Sequence, residues 1–297
     1  MSNKPRKMTL EKKHNLTGWA FFSFLTFLIA VFSFWPMIKA LVLSFQTGKG
    51  RNMQMAGFTN YIRMFQDDVF IQSIKNTFFY FILQVPIMLV VALVLACILN
   101  KKDLRFKGFF RTMIFVPCTT SLVAYSIIFR SLFANNGLVN YVLVNIGILD
   151  KPYNFLTQPF AAKMVILLGL LWRWTGYNMV FFLSGLQNIE YSVYEAAKID
   201  GASAIQTFFK ITVPLLKPTI LLTAIMSTNG TLQLFDESIN LTDGGPANAS
   251  ISMSHYIYNL CFKYVPNFGY AAAMSFFILL LVAVLAFIQM RVGDKRD

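Results

Sequence analysis

The sequence predicts an all-α integral membrane protein on three observations: an apolar composition, apolar blocks of membrane-spanning length, and positive charge gathered at the ends of those blocks. Of 297 residues, 56% are apolar and 16% aromatic, while 13% are charged. A soluble fold of this length cannot bury so much apolar surface, so lipid is the expected solvent. The apolar residues come in blocks of roughly 20, the number that carries a helix across a hydrocarbon core of about 30 Å. Six spans are expected, at roughly 19 to 45, 76 to 99, 109 to 132, 161 to 187, 219 to 240 and 269 to 290. They form one domain, 19–290, between an N-terminal segment, 1–18, and a tail, 291–297.

Charge placement orients the spans. The net charge of +13 is not focused on one polar surface, which argues against nucleic acid as a partner. Lys4, Arg6, Lys7, Lys12 and Lys13 precede the first span, and Lys101, Lys102, Arg105, Lys107 and Arg111 lie between the second and third. Lys198, Lys210 and Lys217 follow the fourth, and Arg291, Lys295 and Arg296 close the chain. The positive-inside rule puts these segments and both termini in the cytoplasm, which an even number of spans satisfies. The first block exceeds the 7 to 15 residues of a signal-peptide core and no small-x-small site follows it, so it is read as an uncleaved helix. Cys97 and Cys118 fall in spans and Cys261 beyond the fifth, so no disulfide is expected.

Enzyme chemistry finds few parts. His14 and His255 are the only histidines and stand far from the i, i+4 spacing of a His-Glu-x-x-His zinc site, and no Gly-x-Ser-x-Gly element occurs. A phosphate-cradling loop is missing as well. Its nearest approach, Gly48-Lys49, has Leu43 in place of the first glycine and Gly50 in place of the magnesium-binding hydroxyl. No catalytic residue, metal or cofactor is assigned to the chain, and any ATP and magnesium must be bound by another subunit.

The segment 188–218 is too polar to span. Ser192 followed by Glu195 has the spacing of a capping box and predicts a short helix from there. Gly201 can take the left-handed backbone that stops it, Asp200 or Ser203 can cap a second helix, and Pro214 is expected to end that one. The result is a cytoplasmic elbow of two short helices.

Two spans carry polar side chains, which are costly in lipid and turn toward a cavity or another helix. In the fifth, Asn229, Gln233, Asp236, Glu237 and Asn240 fall at i, i+4, i+7, i+8 and i+11, one helical stripe. At about 1.5 Å per residue from Pro218, Asn229 lies roughly 16 Å deep and Asp236 roughly 27 Å deep. Asn229-Gly230 is a candidate kink. The fourth span carries Trp172, Arg173, Trp174, Tyr177 and Asn178, with Arg173 roughly 18 Å in from Ala161. Aromatic faces beside amide and guanidinium donors suit a sugar, whose axial hydrogens are apolar and whose hydroxyls need partners. The same residues would also serve as packing between helices or subunits.

Glu195-Ala196-Ala197, Asp200-Gly201-Ala202, Ile211 and Pro214 resemble the EAA loop of ABC importer permeases. Other matches run along most of the chain: Gly57, Phe58, Asn60, Tyr61, Asp67, Phe70, Asn76 and Thr77 before and into the second span; Trp172, Gly176, Tyr177 and Asn178, then Gly185-Leu186-Gln187, in the fourth; and Leu241-Thr242-Asp243-Gly244-Gly245-Pro246 after the fifth. In this order they resemble the sugar-importing ABC permeases, of the first-permease type found in maltose and glycerol phosphate importers. Glu190 departs from the pattern, since many relatives carry proline there.

The resemblance implies the type I ABC importer fold in a bacterial inner membrane. It also implies an elbow whose Glu195, Ala196, Ala197, Asp200, Gly201, Ala202 and Pro214 couple to an ATPase. The partners it implies are a second permease, two ATPase subunits and an extracellular sugar-binding protein. A secondary transporter or channel acting alone is the competing expectation. It would normally show inverted repeats with broken helices at matching places in both halves, which the sequence does not display.

Overall fold

The computed structural model describes residues 10–49, 52–101 and 103–293. Lys4, Arg6, Lys7, Lys102, Lys295 and Arg296 of the basic clusters lie outside the described residues. The chain is mainly helical, with one small antiparallel hairpin among the described residues. Helices α1 (Leu10–Ile29) and α2 (Trp35–Ser44) are joined through a π turn, Ala30–Phe34, into one long rod. Its most apolar window buries nothing inside the chain, and Trp19 and Phe21 stay 68% and 77% exposed. Apolar surface on that scale belongs against lipid or a second subunit. Strands β1 (Gln46–Lys49) and β2 (Asn52–Met55) follow, then α3 (Thr59–Met64).

Helix α4 (Asp68–Asn100) starts where Asp67 accepts hydrogen bonds from the Val69 and Phe70 N–H groups, satisfying two of the orphan donors of a helix start. It packs along α8 (Pro159–Gln187). These two, residues 17–44 of the first rod, and α14 (Phe268–Gly293) are each long and apolar enough to cross a membrane. Two bent pairs raise the possible spans from four to six.

The first bent pair replaces the continuous span expected at 109 to 132. Helices α5 (Lys107–Thr119) and α6 (Leu122–Leu132) meet at 98°. Pro117 lacks an N–H, and Thr120 and Ser121 adopt extended backbone, so the helical ladder stops between them. Helix α7 (Leu138–Asn145) follows.

The elbow is α9 (Tyr191–Ile199) and α10 (Ala204–Thr207), continued by a π turn, Phe208–Thr212, and α11 (Val213–Leu215). The expected Ser192–Glu195 capping box is not formed. Glu190 is the N-cap residue, and the Ser192 hydroxyl instead donates to the Glu190 carboxylate at 3.3 Å. The capping box lies one helix later: Ser203 accepts from the Gln206 N–H while Gln206 accepts from the Ser203 N–H. Pro214 lies one residue before the end of the continuous helical segment Ala204–Leu215, close to where it was expected to end that helix, and the turn comes at Leu216. There the segment Ala204–Leu215 meets α12 (Lys217–Leu232) at 70°.

Helix α12 passes through Asn229-Gly230 without a break and stops at Leu232, so the span expected to reach 240 is short and its stripe is not one helical face. Residues 233–237 lead into a π turn, Ser238–Thr242, which swings Asp236 and Glu237 onto a new axis. Helix α13 (Met253–Tyr258) and a π turn, Asn259–Lys263, precede α14.

Three buried clusters hold these elements. Ala92, Ala96 and Leu99 of α4 meet Met179, Phe182 and Leu186 of α8 and Leu216 of the elbow. Tyr80, Tyr125, Val165, Leu170 and Leu234 form the middle cluster. Phe70, Met253, Tyr270 and Met274 lie in the third, beside the start of α4. At about 1.5 Å per residue, α4 separates the elbow from that third cluster by roughly 45 Å.

Candidate functional site

A cavity of about 410 Å³ opens between α4, α8, α12 and the segment 233–237. Arg173, Trp174, Tyr177 and Asn178 reach it from α8, because residues at i, i+1, i+4 and i+5 cover one broad face of a helix. Gln233, Asp236 and Glu237 line it from the chain beyond α12. The early end of α12 therefore does what a continuous stripe was expected to do. Trp172 and Asn229 do not line the cavity. Trp172 is 44% exposed and stacks on Tyr125, with ring centroids 6.0 Å apart, while Asn229 is exposed and accepts a hydrogen bond from Gln233. Asn240 lies beyond the cavity too, its amide donating to the Asp236 carbonyl at 2.8 Å.

The cavity wall is a connected set of polar groups. Thr231 donates to the Gln84 side-chain oxygen at 2.7 Å, and Ser227 donates to that of Asn178 at 3.3 Å. The Asn178 amide nitrogen donates to the Trp174 carbonyl at 3.1 Å. Sequence reasoning did not single out Gln84, Ser227 or Thr231. Gln84 could have been found as a lone amide in an apolar block, and Ser227 and Thr231 by their i, i+4 spacing on α12. Hydroxyls, however, can satisfy themselves on their own helix, as Thr231 also does with the Ser227 carbonyl, so they leave a weak signal.

Arg173 is 7% exposed. Its guanidinium donates to the Thr120 carbonyl at 3.1 Å, a backbone oxygen freed by the break between α5 and α6. The charge also lies 5.5 Å from the Trp174 ring centroid and 5.6 Å from that of Tyr125. Glu237 is buried as well, with Asp236, Arg173 and Trp174 near it. Close packing of α8 on α5 sets this geometry: a Cβ on Gly176 would collide with the Ile114 carbonyl oxygen.

The elbow brings Glu195, Ala196, Ala197, Asp200, Gly201 and Ala202 together at one end of the molecule. Glu195, Ala196 and Asp200 are exposed, and Ala197 is buried. Gly201 has φ of +72°, and the Ala202 N–H donates to the Ala197 carbonyl at 2.9 Å while the Gly201 N–H donates to Lys198 at 3.2 Å. This pair of bonds is a Schellman motif, the usual consequence of glycine just past a helix end. Glu190 has φ of −60°, the angle proline is locked to, so the departure from proline keeps the same entry into α9. Pro214 is set apart, exposed in α11.

The opposite end explains many of the remaining signature residues. Asn60 donates to the Ser44 and Gln46 carbonyls at 2.9 and 2.8 Å, closing the hairpin onto α3. Asn76 donates to the carbonyls of Asn248 and Ile251, and Thr77 accepts from the Met253 N–H. Asp67 accepts from the phenols of Tyr256 and Tyr270 at 2.7 and 2.8 Å. Burial raises the pKa of Asp67, but these two phenols and the two helix-start N–H groups outweigh it and hold the carboxyl below its usual value. His255 is fully buried, with Nδ1 2.9 Å from the Ser238 hydroxyl and Nε2 3.6 Å from Asp243. Burial lowers its pKa, with Lys263 acting the same way and Asp243 opposing.

Residues 70–296 match the family model described as binding-protein-dependent transport system inner membrane component. The chain is 50% identical over 292 residues to the lactose transport system permease protein LacF of Rhizobium radiobacter, covering 98% of each chain. It is 32% identical to the arabinooligosaccharides transport system permease protein AraP of Bacillus subtilis, covering 89% of this chain and 84% of that one. A crystal structure of a bacterial ABC transporter involved in the import of the acidic polysaccharide alginate has the same fold, with a TM-score of 0.84 at 23% identity over 96% of this chain and 97% of that one. The chain belongs to the family of binding-protein-dependent transport system inner membrane components.

Proposed function

We propose that this chain is the permease subunit of an ATP-driven sugar importer, furnishing half of the pathway through which an external binding protein's sugar reaches the cytoplasm. The observation that carries the reading is the 50% identity, over nearly the whole chain, to a lactose transport system permease. The cavity supports it. Its indole and phenol faces suit the apolar side of a pyranose, and its amides, hydroxyls and carboxylates suit the hydroxyls. Trp174, Tyr177, Asn178, Gln233, Asp236 and Glu237 are the proposed sugar contacts, and Arg173 holds the break between α5 and α6 while presenting charge to the cavity.

In this reading the chain crosses the inner membrane six times, each bent pair counting once, with both termini in the cytoplasm. The elbow is the coupling loop. Glu195, Ala196, Asp200 and Gly201 meet one of two ATPase subunits, small alanines allow close approach, and a second permease completes the pathway. The test is uptake in proteoliposomes containing the complex purified from its native membrane, with lactose and an arabinooligosaccharide offered on their cognate binding protein. Uptake of a sugar that depends on both ATP and binding protein is expected. Uptake driven by an ion gradient through this chain alone would overturn the reading.

A further inference from the structure

A second cavity, of about 660 Å³, lies between the elbow and the ends of α4 and α8. Two lysines line it, Lys101 from just past α4 and Lys198 from α9, against one acidic residue, Asp103. Tyr191, Tyr194 and Lys198 fall at i, i+3 and i+7, so α9 turns one aromatic and basic face toward the space. The remaining wall is partly apolar, through Cys97, Leu186, Ile189 and Phe208. A purely soluble anion has no use for such a wall, and a purely apolar guest has none for two ammonium groups. The combination, at the level where two membrane-length helices end, matches an amphiphile with an anionic head. Tyrosines at that level are also the expected neighbours of lipid headgroups.

We propose that this cavity holds an anionic phospholipid of the inner leaflet, with its phosphate at Lys101 and Lys198 and the start of its acyl chains against the wall formed by Cys97, Leu186 and Ile189. The proposal rests on reading the elbow as the cytoplasmic coupling loop. A lipid seated there touches the elbow and the body of the bundle together, so its occupancy biases the angle at which the elbow meets the ATPase. ATP hydrolysis then depends on the lipid composition around the complex.

The experiment uses the whole importer, delipidated and titrated with phosphatidylglycerol or phosphatidylcholine, with bound lipid counted by native mass spectrometry. Wild type should retain phosphatidylglycerol in preference to phosphatidylcholine. Near an anionic surface each lysine is worth a factor of about five in affinity, so Lys101→Gln with Lys198→Gln should weaken phosphatidylglycerol retention by about twenty-five-fold. Lys101→Arg with Lys198→Arg, which keeps both charges, should retain the lipid and serves as the control for folding. Receptor-stimulated ATP hydrolysis should lose its dependence on phosphatidylglycerol in the glutamine pair and keep it in the arginine pair. Equal retention by wild type and the glutamine pair would overturn the proposal, as would displacement of the lipid by inorganic phosphate, which would make the ligand a soluble anion. Lipid counting needs no ATP turnover, so a failure of the elbow to couple, seen as full transport by Gly201→Asp, is visible separately.

Discussion

At Gly201 the backbone turns left-handed with open space around the position where a Cβ would stand, so any penalty for a side chain there is conformational and not steric. A non-glycine residue meets a cost of about 1 kcal/mol or more in that region, which asparagine escapes in part. Gly201→Asp is therefore expected to lower sugar uptake and binding-protein-stimulated ATP hydrolysis together in proteoliposomes, with Gly201→Asn closer to wild type. Unchanged uptake in Gly201→Asp at normal assembly would remove the coupling role. A second residue-scale prediction separates cavity lining from packing. Thr231→Val strands the buried Gln84 oxygen, a loss of about 1 to 3 kcal/mol, and should lower the melting temperature of the complex. Gln233→Leu, at an exposed position, should leave melting unchanged and reduce uptake; a fall in melting with normal uptake would assign Gln233 to packing instead.

Among the elements, the loop between α12 and α14 is held to α4 by side chains on both sides, which makes its attachment sensitive to protonation. His255 is buried and neutral, and the groups facing it are Asp243, Lys263 and the Ser238 hydroxyl. Its folded pKa lies below the unfolded value of about 6.5, so the unfolded state takes up a proton first as pH falls. Stability from keeping it neutral is fully present above that value and is lost as pH drops through the folded pKa. The melting temperature of the complex should accordingly decline from pH 7 to pH 5, and His255→Gln should flatten the decline. An identical slope in the variant would show that other groups carry it. Asp67 acts lower down: its depressed pKa contributes stability above about pH 4, lost in more acid solution.

For the whole molecule, the exposed apolar rod formed by α1 and α2 and the two bent pairs make a body completed by lipid and other subunits. Since the chain has no phosphate-cradling loop, the purified chain alone should show no ATP hydrolysis above an empty-vesicle control. Robust hydrolysis would contradict the assignment of that chemistry to a partner. Orientation is checked in a variant with Cys97, Cys118 and Cys261 replaced by serine. The exposed positions Ala247→Cys and Gln206→Cys are then labelled with an impermeant thiol reagent in intact cells. Labelling of Ala247→Cys and protection of Gln206→Cys are expected, and the reverse pattern would invert the topology.

Composition and local spacing were enough to establish a helical membrane chain, the approximate limits of α4, α8 and α14, and the left-handed stop at Gly201. Those features depend on hydropathy summed over about 20 residues or on one residue's own backbone freedom. The broken helices were beyond such reasoning. Apolar blocks at 109 to 132 and 219 to 240 score alike whether straight or bent, because hydropathy carries no information on where a backbone carbonyl will find its partner. Only the packed structure supplies the Arg173 guanidinium to the carbonyl of Thr120, and the Ser252 hydroxyl to the carbonyl of Leu234 just beyond α12. The candidate site divides in the same way. Arg173, Trp174, Tyr177 and Asn178 were legible as polar and aromatic groups on one helix, whereas Gln84 and Thr231 become a site only as a pair 147 residues apart in sequence. Hydrogen bonds across that separation are decided by how α4 and α12 pack, and this is why the wall of the cavity belongs to the tertiary structure.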